Sequence, residues 1–135
     1  MDLSKTLHIA SAGMKAQGDR MRVISENLAN ANSLARSPGG DPYQRQIVTF
    51  ENVMNEEVGV QQVKVDDVIK DQSDFGKTYK PGHPAANEEG YVKTPNVKSL
   101  VEMADMRETQ RSYQANLKVI ESSRQMMQGL ISLMR

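Results

Sequence analysis

Residues 96–135 read NVKSLVEMADMRETQRSYQANLKVIESSRQMMQGLISLMR. From Met103, the positions Met106, Gln110, Tyr113, Leu117, Ile120, Arg124, Met127, Ile131 and Met134 recur in steps of three and four, with only Gln110 and Arg124 breaking the apolar line. That spacing keeps one edge of a helix against a partner over many turns. Pro95 closes the preceding segment, Asn96 is placed to cap the helix, and only Gly129 weakens it, so a helix of about 39 residues and roughly 58 Å is predicted.

The opposite end carries a matching pattern. From Leu3 the positions Leu7, Ala10, Met14, Gln17, Met21, Ile24, Leu28 and Ala31 follow in steps of four and three. Asp2 or Ser4 can cap this helix, which the spacing extends over residues 2–32, about 46 Å. Gly13 and Gly18 are its weak points, or the places where a neighbouring helix comes close. Asn27, Asn30 and Asn32 then offer side-chain hydrogen bonds that compete with the helical ladder, and Ser37-Pro38-Gly39-Gly40-Asp41-Pro42 is a loop.

The stretch between has different chemistry. Of the 9 methionines only Met54 lies there, apart from the initiator the rest being terminal, whereas of the 4 tyrosines and 2 phenylalanines only Tyr113 lies outside it. Methionine tolerates shifting packing, while aromatics anchor compact clusters. Gln46–Phe50 and Gly59–Val65 are β-branched runs of strand length that predict a small antiparallel sheet, with 68–70 extending the second or starting a third. From Phe75 through Tyr91 the chain is expected to be irregular, with Pro81, Gly82, Pro84 and Gly90 forbidding regular structure, and Tyr91–Lys93 can form a short extended piece.

These features predict a mainly α fold. Long N- and C-terminal helices pair as a coiled-coil-like layer, and a small β-containing middle domain with extended loops lies between them. The divisions are 1–32, 33–95 and 96–135. Two helices of this length cannot bury each other completely, because Leu100, Val101, Val119, Met126 and Leu130 widen the C-terminal seam. A lone monomer would leave more apolar surface bare than soluble monomers usually do, so the ends call for partners.

Charge and composition exclude several classes. The formal net charge is +0, divided as about +1, −3 and +2 over the three segments. No segment has the clustered Lys and Arg that nucleic acid requires. With Cys 0 there is neither a disulfide framework nor a thiolate metal site. His8 and His83 lack helical spacing to a second metal ligand, and Asp66, Asp67, Asp71 and Asp74 lack the pattern of a calcium loop. No phosphate cradle or nucleophile set is found, so no catalytic, metal or cofactor-binding residue is expected, and no cofactor. His83 is expected to hydrogen-bond within its own loop. No secretory signal begins the chain, and no stretch approaches the roughly 20 apolar residues of a membrane span.

Particular motifs add a resemblance. Ser11-Ala12-Gly13-Met14-Lys15-Ala16-Gln17 and Ile24-Ser25-Glu26-Asn27-Leu28-Ala29-Asn30-Ala31-Asn32-Ser33 resemble the segment shared by bacterial flagellar basal-body rod and hook proteins, with Ser33 where threonine is usual. Pro42-Tyr43-Gln44-Arg45-Gln46, Tyr79–Ala86, Gly90–Val97, Glu102–Met106 and Arg111–Asn116 resemble the proximal members of the rod family, with departures at Thr78 and Ala85.

The resemblance implies a subunit of a helical tube that crosses the periplasm and transmits motor torque. It also implies export by the flagellar type III apparatus without a cleaved signal peptide. The implied partners are further copies, other rod proteins, and membrane-ring and export-gate components at the rod base. A soluble coiled-coil chaperone or adaptor for flagellar secretion is the alternative. The expected assembly interface comprises Leu7, Met14, Met21, Ile24, Asn27, Leu28 and Asn30 on the first helix. On the second it comprises Met103, Met106, Tyr113, Asn116, Leu117, Ile120, Met127 and Ile131. Asn27, Asn30 and Asn116 are candidates for fixing register at a packed helical junction.

Overall fold

Asp2 begins the first helix as the sequence predicts: its carboxylate accepts the Ser4 amide at 3.0 Å, filling one of the donors a helix start leaves unpaired. The computed structural model describes residues 2–134. Helix α1 spans Leu3–Ala29, three residues short of the predicted end. Its last turn is closed from within. Asn30 donates its side-chain amide to the Glu26 carbonyl at 2.9 Å, and Ser33 donates its hydroxyl to Asn30 at 3.0 Å. The Asn30 side chain thus adds a second donor to a carbonyl that already takes the Asn30 backbone amide at 3.1 Å, and so reinforces the last turn.

Strands β1 (Gln46–Asn55) and β2 (Val60–Lys70) form one two-stranded sheet. Both run longer than the β-branched runs suggest, and 68–70 extends β2. The turn explains the length. Asn55 accepts the amides of Glu57 and Val58 on its side chain, its carbonyl takes the Gly59 amide at 2.8 Å, and Gly59 turns back at φ 66. Glycine reaches that angle without a Cβ penalty.

A second sheet pairs β3 (Gly76–Tyr79) with β4 (Tyr91–Thr94), antiparallel, with Lys77 opposite Lys93 and Tyr79 opposite Tyr91. Strand β4 is the predicted extended piece, but β3 is unforeseen, since four residues, GKTY, show no usable alternation. The connecting loop is irregular yet internally bonded. The Lys80 amide donates to the Gly90 carbonyl at 2.9 Å, and Asn87 accepts the amides of Glu89 and Tyr91. The Ala85 amide donates to His83 Nδ1 at 3.1 Å, the local role expected of that histidine. Gly90 sits at φ 84, where an added Cβ would also strike the Tyr79 ring.

Helix α2 spans Ser99–Leu133. Asn96 does not cap it. Its side chain instead accepts the Arg45 amide at 2.7 Å and donates to the carbonyls of Asp71 and Ser73. Two long helices and a β-containing middle therefore make up the chain, as the sequence predicts.

Two compact units are recognisable. One comprises residues 1–21, 48–67 and 107–135, and the other 22–47 and 68–106. In the first, Ala10, Gly13 and Ala16 of α1 are buried with Thr109 and Ser123 of α2. In the second, Val23, Ile24 and Asn27 are buried with Ala85, Val92 and Glu102.

Candidate functional site

The inward edge of α2 differs from the predicted seam by one residue in every second step, and on α1 Gly13, Ala16 and Asn27 are buried where the seam has Met14, Gln17 and Leu28. On α2 the half-buried line Met106, Tyr113, Ile120 and Met127 lies where the spacing puts it. The alternate line is Glu102, Thr109, Asn116 and Ser123, of which all but the half-buried Asn116 are fully buried. Met103 and Leu117, the apolar neighbours one residue on, are 50% and 38% exposed, and Ile131 further along the predicted seam is 60% exposed. On α1, Ile24 and Asn27 are buried, while Leu7, Met14, Met21, Leu28 and Asn30 are half-buried.

Small size explains the substitution in the first unit. Gly13 faces Asn116, and a Cβ there would lie 2.8 Å from its Nδ2. Leu7 and Ser11 share a cleft with Ile120 and Arg124, so residue numbers rise along α1 as they fall along α2, and the helices run antiparallel here. Close backbone approach requires glycine on one side. The predicted alternative for Gly13, local flexibility, is not its role here.

In the second unit the contact is polar and saturated. Asn27, 1% exposed, accepts the Tyr43 hydroxyl and the Gln46 amide on Oδ1, both at 2.9 Å. Its Nδ2 donates to the Gln46 carbonyl at 2.9 Å and to Glu102 Oε2 at 3.1 Å. All four hydrogen bonds available to the amide group are used. Glu102, 0% exposed, takes Arg45 Nε on its other oxygen. Arg45 also reaches Asp71 at 3.2 Å and Asp105 at 3.6 Å. Its own backbone is held by Asn96 on the amide and by Asp71, whose amide donates to the Arg45 carbonyl at 2.8 Å. Asn27 and Glu102 thus join the end of α1 to the start of α2 directly, and Arg45 holds the Glu102 carboxylate from its other oxygen.

The electrostatics follow from this packing. Burial raises the Tyr43 hydroxyl above its ordinary value, and the Glu26 and Glu102 carboxylates add to the rise, so it stays a donor. Burial works against the Arg45 charge, but the bonds to Glu102 and Asp71 outweigh it and raise its pKa. Asp71 is lowered, first by the Ser73 amide at 2.9 Å, against the opposing effect of burial, and then by the Ser73 hydroxyl and Arg45. A lowered carboxylate contributes stability that is complete above its unfolded pKa and is lost as pH falls through its folded one. The urea midpoint is therefore expected to drop between pH 5 and pH 3, and Asp71→Asn is expected to flatten that drop. An unchanged slope in Asp71→Asn, measured by far-UV circular dichroism, would contradict the role of this carboxylate.

The sequence singles out Asn27 as an asparagine near the helix end, outside the stepped line, but not Glu102, Arg45, Tyr43 and Gln46 as its network. The available signal was the run of small or polar residues Glu102, Thr109, Asn116 and Ser123 at every seventh position beside the apolar line. No helix among the described residues is long and apolar enough to cross a membrane.

Known proteins share this sequence over nearly its whole length. The flagellar basal-body rod protein FlgC of Agrobacterium fabrum is 47% identical over 133 residues, which are 98% of this chain and 96% of that protein. The chain belongs to the FlgC family of flagellar basal-body rod proteins. The FlgC proteins of Escherichia coli and Bacillus subtilis are 38% and 34% identical, covering 98% and 95% of both chains. The family model described as flagellar basal body rod FlgEFG protein C-terminal matches residues 88–133, which include β4 and all of α2. The chain is accordingly a structural subunit of the flagellar basal-body rod, and these relatives do not favour a secretion chaperone or adaptor. The family is a structural one.

Proposed function

We propose that the subunit assembles with further copies and with other rod proteins into a helical tube that transmits motor torque, and that the assembly faces lie on its two terminal helices. The observation that supports this is the placement of large apolar residues on α2. Leu100, Met103, Leu117, Leu130 and Ile131 are exposed while Glu102, Thr109 and Ser123 are buried, the reverse of a helix built for a monomer. Burying such a face gains roughly 25 cal/mol per Å² of apolar area, and the natural place for that gain is a neighbour.

In this reading residues 1–32 and 96–135 form a coiled-coil-like inner layer, and residues 33–95 form an outer part. Leu7, Met14, Met21, Ile24, Leu28, Met103, Met106, Tyr113, Leu117, Ile120, Met127 and Ile131 supply apolar contact. Asn27 fixes register through its four bonds, and Asn116 does so by fitting against Gly13. Asn30 completes the end of α1. The subunit is exported by the flagellar type III apparatus and works in the periplasm, with membrane-ring and export-gate components at the rod base as further partners.

Limited proteolysis tests this reading. The C-terminal half of α2 is expected to be cut early in the isolated chain and to survive in purified basal bodies. Equal protection from end to end in both states would contradict assembly through this face.

A further inference from the structure

The paired register of β3 and β4 places four side chains on one face. Lys77 stands directly opposite Lys93, and Tyr79 opposite Tyr91, two residues along each strand. Their neighbour Val92 on the other face is buried. Two like charges directly opposite destabilise a sheet unless an anion lies between them. Lys93 is met by the exposed Asp41 at 3.3 Å, while Lys77 has no ion pair among the described residues. The tyrosine rings meet edge to face, 5.3 Å apart, yet remain 62% and 43% exposed. A surface of two ammonium groups beside two open aromatic faces fits an acidic segment that also carries an apolar or thioether side chain.

The turn of the first hairpin has that chemistry. Met54, Glu56 and Glu57 are all exposed, and among the described residues neither glutamate makes an ion pair. Asn55 and Gly59 hold the turn in shape, so it docks without a large ordering cost. Adjacent glutamate Cα atoms lie about 3.8 Å apart, and directly opposed strand residues about 5 Å apart, so two carboxylates match two ammonium groups.

We propose that the Lys77–Tyr79–Tyr91–Lys93 face of one copy receives the Met54–Glu57 turn of a second copy. The glutamates pair with the lysines, and the Met54 thioether lies against the tyrosines. The two surfaces differ, so the contact is heterologous and repeats from copy to copy without closing, as a filament requires. It rests on the rod reading, which supplies neighbouring copies.

The chain contains Cys 0, so introduced thiols report without background. Val58→Cys and Lys80→Cys sit beside the two surfaces and leave all the proposed contacts intact. With the double variant as the sole copy in cells, a short bifunctional thiol reagent is expected to give a ladder of two, three and more linked chains in purified basal bodies. Each single variant is expected to give none. Unlinked chains, an internal link within one chain, or a link to a different rod protein would overturn the proposal.

A charge exchange gives a second readout. Lys77→Glu with Lys93→Glu, and Glu56→Lys with Glu57→Lys, are each expected to reduce swimming at least tenfold, and their combination to restore it. Failure of the combination to restore swimming would also overturn the contact. Absence of the unaltered chain from purified basal bodies would instead sink the rod reading itself, whereas its presence without a ladder sinks only this contact.

Discussion

Replacing Arg45 with methionine is expected to lower the stability of the isolated chain by about 3–5 kcal/mol, the usual cost of leaving a buried charge without its partner. Glu102 is wholly buried, and Arg45 is the cation that meets it. Methionine keeps much of the stem's volume but none of its donors, so the Glu102 carboxylate would retain only Asn27 and the Asp71 and Asp105 carboxylates would lose their shared guanidinium. Against a total stability of about 5–15 kcal/mol such a loss is severe, and swimming should fail with it. The double variant Arg45→Met with Glu102→Leu is expected to recover most of the loss, since an apolar pair can replace a buried ion pair at little cost. Urea unfolding followed by circular dichroism reads both effects. A single variant within about 1 kcal/mol of the parent, inside the range of ordinary surface changes and small defects, would show that this cluster does not hold the helices.

Leu117→Asp and Ile131→Asp are expected to abolish swimming while leaving the isolated chain as stable as the parent to within about 0.5 kcal/mol. Both side chains are exposed, so the subunit itself loses little when they become charged. At an assembly face the same carboxylate would be desolvated without a partner, which costs several kcal/mol per copy and is repeated throughout the polymer. The comparison with Ile120→Asp is informative, because Ile120 is half-buried within the subunit and its variant should lose stability as well as motility. Leu28→Asp is also expected to stop swimming, but as a half-buried position it separates the two effects less cleanly. Normal swimming of the Leu117 and Ile131 variants together would remove the exposed stripe from the mechanism.

Asn27 and Asn30 illustrate how far sequence reasoning reaches. Both lie in one short asparagine-rich stretch, and both are legible as residues that can end a helix or fix a junction. Only the packed structure separates them: Asn30 bonds back to its own helix at Glu26, while Asn27 reaches Tyr43, Gln46 and Glu102. The same holds for Asn96, whose position before α2 suits a cap but whose side chain is taken by Arg45, Asp71 and Ser73. A capping preference of about 1 kcal/mol yields to several bonds formed with distant segments.

Local order was determined by the sequence itself: two long helices from repeats of three and four, the β1–β2 pair from two β-branched runs, and the loops from proline and glycine. Periodicity along a chain reports which residues share a helix face, and that is a property of neighbours in sequence. Tertiary structure alone decided which edge of each face turns inward. Gly13 against Asn116 and Asn27 against Glu102 select the small and polar edge, because close approach and complete hydrogen bonding there leave the bulkier apolar residues outside. That choice depends on the size and donors of residues far away in the chain, which no repeat within either helix encodes.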